Sequence, residues 1–322
     1  MTSDAIVVGA GVIGLTSAVV LAESGARVAV WTRDPVADTT SAVAGGLWWP
    51  YRVQPEEKVG AWSLRTLGVL AELAARPEET GVRMVHGTLA GMGLGDLGPW
   101  AAEVPGLRPA RPEELPKGWD HGLRARIPLV DMSTYLGYLL RRLEAAGGSV
   151  EQRAVTTLDE AAREAPAVVN CTGLGARDLV PDAEVRPVQG QLVTVENPGV
   201  DEWFVAADPG SADTLYVLPQ PYGVVLGGTA REDVWDLTPD PATAEAIVAR
   251  CAHAVGARLA DARVIGHRVG LRPARSRVRL EADTAAGGGG RPWLVHNYGH
   301  GGAGVTVAWG CAEEAAGLVS SC

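Results

Sequence analysis

A chain of 322 residues is long enough for about two domains with a sizeable core, and 47% hydrophobic residues exclude a disordered chain. The net charge of −10 argues against a nucleic-acid partner or an anionic membrane surface, although a local arginine can still bind a small anion. The four cysteines, Cys171, Cys251, Cys311 and Cys322, form no C-x-x-C pair, which points to a reducing cytoplasm and leaves terminal Cys322 open to oxidation.

The first segment, AIVVGAGVIGLTSAVVLAESGARVAVWTRD, reads as strand, turn, helix, strand. Ile6 to Val8 form a short buried strand, Val12 to Ser24 a helix stopped by Gly25, and Arg27 to Trp31 a second strand. Gly9, Gly11 and Gly14 fit G-x-G-x-x-G: the first permits the turn, the second admits a pyrophosphate to the backbone, and the third lets helix and strand touch. The helix start at Val12 and Ile13 then offers free N–H groups and a positive dipole end to phosphate. The apolar run from Ile6 to Ala22 follows Asp4, lacks a basic leader and is broken by glycines, so it does not read as a signal peptide. No other run is long enough to span a bilayer. A carboxylate is expected at the end of the second strand to hold ribose hydroxyls. Thr32 and Arg33 stand there and Asp34 comes late, which leaves Arg33 to meet an adenosine phosphate or stack on adenine.

Next comes TTSAVAGGLWWPY, Thr39 to Tyr51. Thr39, Thr40 and Ser41 offer hydroxyls to phosphate, and Ala44, Gly45 and Gly46 would let backbone lie against a flat ring; taken alone, the segment reads equally well as a glycine-rich linker. DMSTYLGYLLRRLEAAGGSV is a helix with Leu136, Leu139, Leu140 and Leu143 on one face, ended by Gly147 and Gly148. APAVVNCTGLGARDL is a buried strand entering a second glycine turn. TLYVLPQPYGVVLGGT reads as a hairpin with Pro-Gln-Pro-Tyr-Gly as its turn, and alternation puts Ala212, Thr214, Tyr216 and Leu218 on one face. In HRVGLRPAR, Pro273 biases Arg272 away from helix, so Arg268, Gly270 and Arg272 share a face of an extended segment. On the residues alone, Arg272 reads as a structural ion pair and Tyr216 as a core aromatic with a wet tip. Gly287 to Gly290 reads as a hairpin tip. In HNYGHGGAGVTVAWG, His296 and His300 have the spacing of zinc ligands on a helix, but Gly299, Gly301 and Gly302 disfavour a helix and no nearby carboxylate completes a metal site.

The distribution of these pieces predicts two discontinuous domains in an α/β chain. Residues 1–50, 130–180 and 268–322 form a Rossmann-like nucleotide-binding domain. Residues 51–129 and 181–267, richer in Pro, Trp and short β-like runs, form a mixed-sheet α+β substrate domain.

Five motifs in order, VVGAGVIGL, TTSAVAGGLWWPY, VVNCTGLGA, VGLRPARSRVRLE and HNYGHGGAGVTVAWGCAEEAA, resemble the D-amino-acid oxidase family over nearly the full chain. The resemblance implies non-covalent FAD between the two domains. It places Val155, Cys171, Thr172 and Gly173 beside the FAD. It also lays Gly299, Gly301, Gly302 and Gly304 against the isoalloxazine, with the helix start at Val305 and Thr306 pointing at the ring. It assigns Arg272 and Tyr216 to the substrate carboxylate, the Gly302 carbonyl to the substrate amine, and Leu47, Trp49, Ala212 and Leu218 to the pocket wall, with Gly45, Gly46 and Leu47 also near the flavin. The implied reaction is oxidative deamination of a neutral D-amino acid, with hydride transfer to flavin N5 and O2 as acceptor, giving a 2-oxo acid, ammonia and H2O2.

Two departures stand out. Ala212 replaces a lid tyrosine of vertebrate members, and Trp49 replaces a glutamine of their motif. The alternatives are a glycine or sarcosine oxidase, a D-aspartate oxidase, which would need a second cation, and, from a different class, a NAD(P)-dependent dehydrogenase or a catalytically silent nucleotide-binding protein. The oligomeric state is open.

Overall fold

A computed structural model describes residues 3–50, 52–206, 215–283 and 294–321. Ala212, Thr214, Cys322 and Gly287 to Gly290 lie outside the described residues. The strands are β1 (Ala5–Val8), β2 (Val28–Thr32), β3 (Val82–Ala90), β4 (Arg108–Pro109), β5 (Gly122–Val130), β6 (Ser149–Gln152) and β7 (Ala167–Asn170). They continue with β8 (Arg186–Val195), β9 (Trp203–Ala206), β10 (Leu215–Gln220), β11 (Gly223–Gly227), β12 (Arg231–Glu232), β13 (Val264–Asp283) and β14 (Leu294–His300).

One sheet runs through the molecule, but its two halves differ in character. On one side β14, β7, β1, β2 and β6 lie in that order, all parallel. Both β1 and β7 are buried at every position, as parallel strands covered on both faces must be. On the other side the order is β4-β5-β3-β9-β10-β11-β8, with antiparallel pairing except between β3 and β9. The 20-residue strand β13 joins the halves. Its first part, Val264 to Ala274, pairs with β8, and its second, Ala274 to Asp283, pairs with β14. The register shifts between Ala274 and Arg279, where the strand changes partner.

Local chemistry explains most boundaries. The first helix spans Val12–Glu23, with Gly25 just beyond it at φ +96°. Helix Met132–Ala145 begins at Asp131, whose carboxylate accepts from the Ser133 and Thr134 N–H groups. The hairpin differs from the sequence expectation. Pro219 and Gln220 belong to strand β10, and only Pro221 and Tyr222 form the turn. Long-range bonds extend the strand: the Gln220 amide donates to the carbonyls of Gly45 (3.0 Å) and Val130 (3.1 Å), and Arg83 donates to the Pro219 carbonyl. Thr40–Val43 forms one helical turn where an irregular segment was expected.

The C-terminal helix Gly304–Ser320 packs on Val12–Glu23 and on helix Glu56–Leu73, and the latter also touches β3 and β5. Lys58 Nζ and Trp62 Nε1 both meet the Glu314 carboxylate, at 2.6 and 2.7 Å. Among the described residues, no helix is long and apolar enough to cross a membrane.

At Gly310 the helix–helix approach leaves no room for a side chain, because a Cβ there would overlap the Trp62 backbone. Gly310→Ala must therefore separate the helices, with an expected loss of about 1–3 kcal/mol in chemical denaturation. An unchanged midpoint would contradict this packing.

Candidate active site

The nucleotide end of the site is built around the first glycine turn. Gly9 has φ +110°, and a Cβ on Gly14 would overlap the Gly9 carbonyl oxygen, so helix and turn are in backbone contact. Ser41 reaches the helix start, where its Oγ accepts from the Val12 N–H at 2.9 Å, and a Cβ on Gly11 would lie 3.1 Å from the same oxygen. The other two hydroxyls of that segment are turned to backbone: Thr39 donates to the Val36 carbonyl (2.7 Å) and Thr40 to that of Leu271 (3.1 Å). Arg33 Nε donates to the Asp34 carboxylate at 2.9 Å, and this pair is largely exposed. Val155 packs beside the cluster of Ile6, Val8 and Trp31. Gly173 has φ +56° and lies against Pro273, and Thr172 Oγ1 donates to Asn170 Oδ1 at 2.7 Å. Burial pushes the Cys171 thiol up to about 12, so it is a packing group and not a nucleophile.

Helix ends distinguish this region from the rest of the molecule. Among the described residues, five helices have twelve residues or more. Met132–Ala145 and Pro241–Val255 begin on capping aspartates, Asp131 and Asp240, and Glu56–Leu73 carries Glu56 and Glu57 in its first turn. Val12–Glu23 and Gly304–Ser320 have no acid there and no cap from their own N-cap residue, Ser41 lending the first only a neutral hydroxyl. Their positive ends are left without a compensating negative charge, as the binding of an anionic group requires. A Cβ on Gly304 would lie 3.5 Å from Val12, so the two bare ends are neighbours. With the Gly9 and Gly14 cradle, these ends fit a dinucleotide cofactor carrying a pyrophosphate.

The other end of the site assembles around the turn after β14. Gly299 (φ +86°) and Gly301 (φ +55°) bend the chain, and the Gly301 N–H donates to the Pro273 carbonyl at 2.9 Å. This places Gly302 beside Arg272, where its Cβ would lie 3.5 Å from Cδ. Thr306 Oγ accepts from the Trp49 N–H (3.2 Å) and donates to the Trp49 carbonyl (3.0 Å), so its hydroxyl is used to hold residue 49. Val305 is buried one residue earlier in the same first turn. The Trp49 ring meets Trp100 edge-on with centroids 5.4 Å apart. Leu47 bridges to Leu129, and Gly46, at φ +82°, lies on the Val130 carbonyl. Gly45 faces the hairpin: its Cβ would lie 2.7 Å from Leu218 Cδ1 and 3.7 Å from Tyr216 Cε2.

Tyr216 and Arg272 meet. The Arg272 charge acts on the buried phenol, and Arg272 Nη1 donates to the Thr229 carbonyl at 3.0 Å. Burial pushes the Tyr216 phenol up from its ordinary value, against the opposing pull of Arg272. The structure thus brings together Gly45, Tyr216, Leu218, Arg272 and Gly302. Arg33 and Asp34 are instead at the end of β2, and Val155 is across the parallel half. The sequence reading missed Gln220, Thr229 and the glycines at 190, 227 and 228. Glycine inside a strand does carry a signal of close backbone approach, present at Gly190 in β8 and Gly227 in β11.

His296 and His300 lie on strand β14 rather than a helix, both buried. His296 Nδ1 faces the Asn170 amide at 3.2 Å, whereas His300 Nε2 has no hydrogen-bond partner among the described residues. Burial alone pushes the His300 imidazole down to about 3 from an ordinary 6.5, so the folded protein holds it neutral. Between these values the unfolded chain binds the extra proton. The His300 contribution to stability is therefore full above pH 6.5 and falls as pH drops towards 3, by about 1.4 kcal/mol per pH unit. His300→Asn should flatten the stability profile between pH 4.5 and 5.5 by about 1 kcal/mol per pH unit, measured by urea denaturation. Parallel profiles for the two proteins would contradict it.

Comparison with known proteins agrees with this geometry. The family model described as FAD dependent oxidoreductase matches residues 4–318. A D-amino-acid oxidase of Streptomyces coelicolor is 61% identical over 98% of this chain and 97% of that protein. One of Rubrobacter xylanophilus is 49% identical over 100% and 97%. Among solved structures, glycine oxidase from Geobacillus kaustophilus superposes with a TM-score of 0.82 at 19% identity, covering 99% of this chain and 95% of that one, a likeness of fold. From the family match and these two relatives, the chain belongs to the FAD dependent oxidoreductases.

Proposed function

We propose that this enzyme oxidises neutral D-amino acids: the amino acid, O2 and water give a 2-oxo acid, ammonia and H2O2. The observation that carries the reading is the meeting of Arg272 and Tyr216 beside Gly302, Gly45 and Leu218. Arg272 is a permanent cation with a planar fork matched to a carboxylate, and Tyr216, kept protonated by burial, adds one more donor. The Gly302 carbonyl accepts a hydrogen bond from the substrate amine, which turns the α-carbon towards the cofactor. FAD supplies the two-electron acceptor for the α-C–H bond, and O2 carries the electrons on to H2O2. Gly9, Gly11, Val12, Ile13, Gly14 and Ser41 would hold its pyrophosphate, and the helix start at Gly304, Val305 and Thr306 would favour negative charge on its ring system. The D-configuration is supported by the names of the two bacterial relatives.

Leu47, Trp49 and Leu218 make the side-chain wall apolar. Arg268 donates to the Ala42 carbonyl (3.2 Å) and Arg250 to that of Gly228 (3.1 Å), and none of the three wall residues carries a charge. This favours a neutral over an acidic side chain. The division into an FAD domain (1–50, 130–180, 268–322) and a substrate domain (51–129, 181–267) belongs to the same reading, supported by the change from parallel to antiparallel pairing along the sheet. The buried free thiols Cys171, Cys251 and Cys311 support a reducing, cytoplasmic setting.

Peroxide release across D- and L-amino acids, glycine and sarcosine tests the assignment. Neutral D-amino acids should lead, and a marked preference for D-aspartate, glycine or an L-amino acid would overturn it. Arg272→Ala leaves the carboxylate buried and unmatched, a loss of about 3–5 kcal/mol. The value of kcat/KM should then fall about 10² to 10⁴-fold at constant flavin content. Tyr216→Phe should cost about 1–3 kcal/mol. Near-normal kcat/KM in flavin-loaded Arg272→Ala would remove the carboxylate assignment.

A further inference from the structure

We propose that Gly190 is a positioning residue for the substrate-binding arginine: its missing side chain makes a notch in which the Arg272 fork is held flat before substrate arrives. The proposal rests on the assignment of Arg272 to the carboxylate and extends it to a residue that touches neither substrate nor cofactor.

Gly190 lies in β8, paired with Gly270 of β13, and Arg272 pairs with Val188. The Arg272 side chain leans back along the sheet by two pairs and covers Gly190. A Cβ on Gly190 would fall inside contact range of Nη1, Nη2 and Cζ at nearly equal distances. Near-equality to those three atoms means that the guanidinium lies face-on over the glycine, not edge-on. The stem also runs beside Gly302, whose Cβ would lie 3.5 Å from Cδ and 3.9 Å from Nε. The Thr229 carbonyl takes one Nη1 hydrogen at 3.0 Å and fixes the rotation of the fork in its plane.

The second anchor is treated the same way. A Cβ on Gly227 would overlap the Tyr216 ring, and one on Gly228 would lie 2.8 Å from the Tyr216 hydroxyl. Backbone without side chains therefore underlies both anchors. A long, rotamer-rich arginine loses considerable entropy when a ligand fixes it. The notch removes that freedom in advance, so the effect belongs in substrate binding and not in the chemical step.

The test is Gly190→Ala in the flavin-loaded enzyme. KM for the best neutral D-amino acid should rise about 10- to 100-fold, with kcat changed less than threefold and the flavin spectrum unaltered. Binding of propionate, which keeps the carboxylate and lacks the amine, should weaken by a similar factor when read from the flavin absorbance. In an Arg272→Lys background the same Gly190→Ala change should move KM less than threefold, because lysine has no fork to displace. Equal KM increments in both backgrounds, or an unchanged KM in Gly190→Ala, would overturn the proposal. If Gly190→Ala alone does not fold, Gly190→Ala/Arg272→Ala must fold and bind FAD, since the clash is with the guanidinium; failure of the double variant would show that the backbone itself demands glycine and would sink the idea. Absence of D-amino-acid turnover in the unaltered enzyme would instead refute the substrate assignment. The propionate comparison would still decide the notch.

Discussion

Strand β13 is hydrogen-bonded into both halves of the sheet, and the position of the site depends on that double pairing. Up to Ala274 it belongs to the antiparallel half through β8, and from Ala274 onward it faces β14 of the parallel half. A strand pinned on two partners cannot slide without breaking both ladders, because a shift of one residue would reverse every side chain. Arg272 lies two residues before the change of partner. It is therefore delivered to the seam between the halves, next to the glycine turn that follows β14. The Gly301 N–H on the Pro273 carbonyl ties that turn to the same strand, at 2.9 Å.

Electrostatics at the seam follows from what has been left out. Two long helices start there without a capping or first-turn acid, one of them meeting only the neutral Ser41 hydroxyl, whereas the other three carry an acid at their start. A bare helix end lowers stability in the absence of a ligand and strengthens the binding of an anion. Around these ends the protein keeps its own titratable groups uncharged: Cys171 and Tyr216 are held protonated by burial, and His300 is held neutral. On the proposed reading, Arg272 is the cation that a substrate carboxylate meets.

The sequence made the first glycine turn legible because each glycine there answers a local steric demand, and the same holds for Gly25 and for the turn at Gly299 and Gly301. Family resemblance, not periodicity, singled out Arg272 and Tyr216, which in isolation read as ordinary structural residues. What escaped has a common physical cause. Gln220 extends β10 by bonding to Gly45 and Val130, which are far away in the chain, so no local pattern could shorten the hairpin turn to two residues. The change of partner within β13 is likewise a tertiary event, since Pro273 marked the segment only as extended. Gly190 sits in the buried stretch of a regularly paired strand, and the side chain that needs its space lies more than eighty residues further on. Thr306 was expected at the cofactor, yet its hydroxyl holds the Trp49 backbone, a role visible only once the two segments are placed together.

The central claim is that Arg272, carried to the seam by β13, is the group that receives the substrate carboxylate. A crystal structure of the FAD-loaded enzyme with propionate bound tests this most directly. The account predicts a carboxylate seated on the Arg272 fork within reach of the Tyr216 hydroxyl, with the guanidinium still flat over Gly190. A carboxylate held instead by Arg250 or Arg268, with Arg272 still occupied only by the Thr229 carbonyl, would contradict it.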